Sequence, residues 1–224
     1  MKSIFIGSLI LLAACGGKAA STTTPTTGGG DVAGWLGTCI GTAKQAEVCS
    51  QVAVSPDGKQ VAIAFTPDDS GRGFTALSVA IIDVASHKTL ATHAIVEASE
   101  ASGDGELAVT AAATTNIGKT ATELKGWSVQ TPVAATLGNV PAGDAAVATA
   151  NIMINDKAAT VGLPDGLACA SEEGKGTDTA VEFKGSALKA SVLADGKIAM
   201  VLLGGGSWPD MCALHGSRIW VGSL

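Results

Sequence analysis

The chain has 224 residues, enough for one domain of ordinary size or two small ones. Apolar residues make up 46% of it, yet 39 Ala and 29 Gly dilute that content, aromatic residues are only 4% and Tyr is absent. A net charge of −6, 15% charged residues and no Lys/Arg cluster exclude a coiled coil, a charge-rich disordered chain and a basic nucleic-acid binder.

In chain order, the first element is an address. Lys2 gives one positive charge, and residues 4–12 form an apolar run too short for a permanent membrane span. The run ends in Leu12-Ala13-Ala14-Cys15, which resembles the lipobox of bacterial lipoproteins. That resemblance implies a diacylglyceryl group on the Cys15 thiol, cleavage before Cys15, and acylation of the new amino group. It also implies attachment to a membrane. Gly16 rather than Asp follows the Cys, which by the family's sorting rule favours the outer membrane where one exists. Residues 1–14 are then a signal peptide. Residues 15–33 are the lipidated Cys with a flexible tether, because GGKAASTTTPTTGGG over 16–30 has too little apolar content to fold. An all-β domain is expected over 34–224. Cleavage removes Lys2 and leaves an acidic domain, so attachment rests on the lipid and not on a basic patch.

From Asp31 onward no amphipathic helix is evident, and the apolar segments are short, rich in Val, Ile and Thr, and bounded by Gly, Asp, Asn and Pro. Strands are predicted at 51–54, 60–65, 75–84, 89–96, 106–113, 119–125, 127–130, 145–154, 158–161, 180–184, 187–193, 197–203 and 218–221. The run 142–150 is Ala-rich, but its alternation through Val147, Thr149 and Asn151 favours a strand over a helix. The most specific string is the hairpin 51–65, with Ser55-Pro56-Asp57-Gly58-Lys59 at its turn: Pro56 presets φ, Asp57 bonds its own backbone and Gly58 accepts positive φ. It resembles the inner hairpin of Tol-type and WD-related β-propeller repeats, and 80–88 resembles the outer hairpin of such a blade. Asp57, Asp104, Asp156 and Asp195 recur at intervals of 47, 52 and 39 residues, close to a blade length. The expected architecture is a small or partial β-propeller-like array of antiparallel hairpins, with a two-sheet β-sandwich as the alternative. Trp35 and Trp220 lie near the two ends of the domain and are expected to fill the core, sharing one seam where the ends meet.

With Cys15 lipidated, four cysteines remain in an oxidising compartment: Cys39, Cys49, Cys169 and Cys212. Three connectivities are possible. Cys39–Cys49 with Cys169–Cys212 is favoured, and the absence of a C-x2-C pair argues against zinc.

Catalytic motifs are weak. Ser186 and Lys189 match S-x-x-K without the companion elements of penicillin-binding enzymes, and no G-x-S-x-G elbow exists. His87, His93 and His215 lack metal-ligand spacing, with His87 in a predicted turn. The acidic loop 67–73, with Asp68, Asp69 and Ser70, lacks the spacing of a calcium loop, and Gly204-Gly205-Gly206-Ser207 lacks the Lys of a phosphate cradle. No catalytic residue, metal site or cofactor is assigned. The expectation is a membrane-anchored lipoprotein whose non-catalytic domain binds a protein or envelope component. The alternatives are a periplasmic hydrolase whose residues converge only in three dimensions, and a purely structural envelope protein.

Overall fold

A computed structural model describes residues 31–42, 48–66, 76–97, 107–138, 149–162, 164, 188–203 and 218–224. Their elements are α1 (Val32–Thr42), β1 (Val48–Val54), β2 (Gln60–Phe65), β3 (Leu77–Asp83), β4 (Thr89–Val96), α2 (Ala111–Glu123), β5 (Ser128–Gln130), β6 (Val133–Ala135) and β7 (Leu137–Gly138). They continue with β8 (Thr149–Ile154), β9 (Lys157–Gly162), β10 (Leu188–Leu193), β11 (Ile198–Leu203) and β12 (Arg218–Ser223). The all-β class expected from the sequence is borne out, since two antiparallel sheets carry the described residues.

The first sheet has the order β4-β3-β2-β1-β5. Its first four strands are a meander of hairpins, and the turn at 55–60 is built as its residues suggest. Gly58 has φ +69, and its N–H donates to the Ser55 carbonyl at 2.9 Å. The Ser55 hydroxyl donates to Asp57 Oδ1 at 2.7 Å and accepts from the Gln60 N–H at 2.9 Å. At the β3–β4 turn the Asp83 carboxylate accepts both the N–H and the hydroxyl of Ser86, each at 2.7 Å. Both carboxyls are held below the ordinary value of 3.8, Asp57 first by the Ser55 hydroxyl and Asp83 first by the Ser86 hydroxyl.

The second sheet has the order β6-β10-β11-β12-β9-β8-β7. Its two outermost strands, β6 and β7, are separated in sequence by Thr136 alone. One stretch of chain therefore joins both ends of the strand order, and the sheet curls into a nearly closed barrel. Asn155 and Asp156, both at positive φ, make the β8–β9 turn, and Ala194 and Asp195, also at positive φ, make the β10–β11 turn. The Ala194 N–H is held across the two sheets by Gln130 Oε1 at 3.0 Å. Of the four spaced aspartates, only Asp57 opens a four-stranded meander. Asp156 and Asp195 turn hairpins of the curled sheet, and Asp104 lies outside the described residues. The hairpins thus form two packed sheets rather than a ring of blades.

Alternation along each strand sets three buried layers. Val52, Val54, Val61, Ile63, Ala80 and Ile82 of the first sheet face Ile198, Met200, Ile219 and Val221 of the second. The other side of the first sheet packs under the two helices through Ala53, Ala62, Val79 and Ile81. Ala199, Val201 and Trp220 point the opposite way from Ile198 and Met200, into the barrel, where they meet Ile152, Ile154 and Val161. The two tryptophans are both core residues, 3% and 0% exposed, but they do not share a seam: Trp35 lies beneath the helices and Trp220 fills the barrel.

Two helices replace the helix-free reading. α1 buries Val32, Trp35, Leu36, Cys39 and Ile40, the spacing of one helical face, and starts at Asp31, whose Oδ1 accepts the Ala33 N–H at 3.0 Å. The folded domain therefore begins slightly before residue 34. The strands predicted at 106–113 and 119–125 are corrected by α2. Thr110 caps it, its hydroxyl accepting the Ala113 N–H at 3.0 Å, and Ala113, Ile117, Thr120 and Leu124 make its buried stripe.

Candidate functional site

The residues the sequence singles out divide by place. Cys15 and residues 16–30 of its tether, Cys169, Cys212, His215, Ser186, the loop 67–73 and the run 204–207 all lie outside the described residues, whereas residues 31–33, expected in the tether, open α1. Cys39 and Cys49 are joined in a disulfide, with their Cα atoms 5.4 Å apart, as the favoured pairing expects. The bond ties the last turn of α1 to the start of β1 and lies buried beside Trp35 and Leu36. Trp35 fixes the same junction from the other side, its indole N–H donating to the Gln51 carbonyl at 3.1 Å. The bond closes a loop of sequence separation 10, so its loss should cost about 2–3 kcal/mol. Urea unfolding of a Cys39→Ala/Cys49→Ala variant is expected to show that loss as a lower midpoint. An unchanged midpoint would show that the helix is held by packing alone.

The two described histidines are apart in the fold. His87 stands in the β3–β4 turn at φ +60, and its ring lies over Gly162 at the end of β9, where a Cβ would overlap it. His87 therefore joins the first sheet to the barrel, a role that a turn position alone did not reveal. His93 on β4 faces α2, with Nε2 3.2 Å from Glu123 Oε2. That contact was illegible in the sequence because 119–125 was read as a strand, which gave Glu123 no helix on which to reach β4. Lys189 is exposed on β10.

One shallow depression of about 300 Å³ lies on the β8–β9 hairpin, lined by Asn151, Met153, Ala158 and Thr160 among others. Its polar groups satisfy each other, the Thr160 hydroxyl donating to Asn151 Oδ1 at 2.8 Å. Among the described residues, no three His, Cys, Asp or Glu side chains converge as metal ligands, and no helix is long and apolar enough to cross a membrane. The exposed large apolar side chains among the described residues, Leu90 on β4, Val109 in the segment before α2 and Val133 on β6, are scattered. Comparison with protein-family models, with curated proteins and with solved structures finds no match to this chain.

Proposed function

We propose that this protein is a bacterial lipoprotein, anchored in a membrane through lipid on Cys15 and carrying a non-catalytic β-domain outside the cytoplasm. The observation that carries this reading is the string Leu12-Ala13-Ala14-Cys15 at the end of an apolar run, followed at once by a Gly/Ser/Thr tether. The Cys39–Cys49 disulfide supports it, since such bonds persist in oxidising compartments. The tether of 15 residues has an r.m.s. span of roughly 20 Å, enough to hold the domain clear of the lipid headgroups. The domain's task in this reading is to bind a protein or envelope component, and Gly16 after the anchor favours the outer membrane of a host that has one.

Replacing Cys15 by Ser removes the thiol that takes the lipid. The variant is expected to leave the membrane fraction or to remain uncleaved, and to lose incorporation of labelled fatty acid. A Cys15→Ser protein that still partitions into detergent with label attached would overturn the assignment.

A further inference from the structure

Edges of a sheet expose backbone donors and acceptors, and proteins ordinarily blunt them with charge, proline or brevity. In this fold the barrel's outermost strands, β6 and β7, are bound to each other through Thr136. At one side of the first sheet, β5 is three residues long and is followed by Pro132 after one intervening residue. Among the described residues the other side ends in β4, eight residues from Thr89 to Val96, with no proline and no Asp, Glu, Lys or Arg.

The direction of its backbone groups follows from its neighbours. Asp83 exchanges hydrogen bonds with the β4 side of the turn, donating to the Lys88 carbonyl and accepting from the His87 N–H, whereas Val84 donates to Lys59. Alternating back along β3, Ile81 and Val79 face β4, where they pair with Ala91 and His93. Thr92 and Ala94 therefore point their N–H and C=O groups away from the sheet. Both residues are exposed. Further along, the Ile95 carbonyl is taken by the Asn116 side chain at 3.4 Å, which marks where the open stretch stops.

We propose that β4 is a self-association edge, on which a second copy of this chain pairs antiparallel through β4 about a two-fold axis at His93. Two features of the strand select a second copy as the occupant. First, pairing about His93 sets Thr92 against Ala94 of the partner, and Ala94 against its Thr92, so each outward pair of groups meets a matching pair. Second, Lys88 precedes the strand and Glu97 follows it. Antiparallel pairing brings Lys88 of each copy beside Glu97 of the other, whereas parallel pairing would set like charges together. The product is one continuous ten-stranded sheet that shields the exposed Leu90, with the helices of both copies on the same face. The inference is independent of lipid attachment, because its groups all lie in the folded domain.

The test uses the full chain dispersed in an excess of density-matched detergent micelles. Sedimentation is expected to give a dimer, and Thr92→Pro, which removes an outward N–H that β3 does not use, is expected to weaken association at least about tenfold with unchanged circular dichroism. Ala94→Lys serves where the proline variant fails to fold, with the same expectation. His93 is a directly opposed pair in this register, so oxidised His93→Cys is expected to give a covalent dimer that the oxidised parent chain does not. A monomeric parent chain, association unaffected by both edge variants, or no covalent dimer from His93→Cys would each overturn the proposal.

Discussion

Trp220→Ala is expected to lower stability by about 3–5 kcal/mol, since Trp220 is the largest fully buried side chain among the described residues. Trp220 is fully buried within the barrel, and the side chains around it are chiefly small, among them Ala159, Ala190, Ala199 and Val201. Collapse of these short side chains cannot fill the space an indole leaves, so most of the lost volume remains as a cavity. A domain of this size holds about 5–15 kcal/mol in all, and each kcal/mol moves the melting temperature by about 2–4 °C. The expected drop is therefore about 10 °C, measured by thermal denaturation. Val133→Ala, at a position 46% exposed on β6, is the control and is expected to shift stability by less than about 0.5 kcal/mol. Comparable shifts for the two variants would mean that Trp220 does not fill the barrel.

The second large effect concerns Gly222, where the sheet is too close for a side chain. Gly222 pairs with Val161, and a Cβ placed on it would overlap the carbonyl oxygen of Thr160. The obstacle is backbone on both sides, so it cannot rotate out of the way as a side chain can. Gly222→Ala must part β12 from β9 locally, opening the barrel at the pairing that joins its two halves. A cost of about 3 kcal/mol is expected, at the upper end of overpacking. Gly138→Ala makes the comparison, since its Cβ would meet Met153 Cβ at 3.5 Å, an ordinary contact. Its expected change in urea midpoint is small, and equal changes at the two glycines would contradict the close approach at Gly222.

What the sequence revealed depended on whether local chemistry and long-range packing agreed. β4 was legible at its full length as a short segment rich in Val, Ile and Thr, and the turn at Gly58 from Pro56, Asp57 and Gly58 acting within one hairpin. The Cys39–Cys49 pair was legible because its partners are close in sequence. The helices were missed for a physical reason. α1 carries Gly34, Gly37 and Gly41, and α2 carries Thr114, Thr115, Gly118, Thr120 and Thr122, all poor helix formers by propensity. Packing overrode propensity in both, and the signal that would have found them was the spacing of Val32, Trp35, Leu36, Cys39 and Ile40, and of Ala113, Ile117, Thr120 and Leu124. β6 and β7 were missed because they are three and two residues long and acquire strand geometry only by pairing with β10 and β8. The outward backbone of Thr92 and Ala94 was not legible, because strand order and register decide which groups face out.

Among the described residues the chain passes between the two sheets once, at Thr131 and Pro132. Neither sheet borrows a strand from the other, and this has a kinetic consequence. Within β1–β4 every pairing joins strands adjacent in sequence, so the four-strand meander forms through short loops of low closure entropy. Barrel closure is different, since Val133 must find Val192 and Gly162 must find Val221, each across nearly sixty residues. Contact order thus orders the events: the meander β1–β4 is expected to form first, with the pairing of β5 to β1 and the closure of the barrel following, since both join distant stretches of chain. That order offers Ile198, Met200, Ile219 and Val221 a finished surface on which to condense.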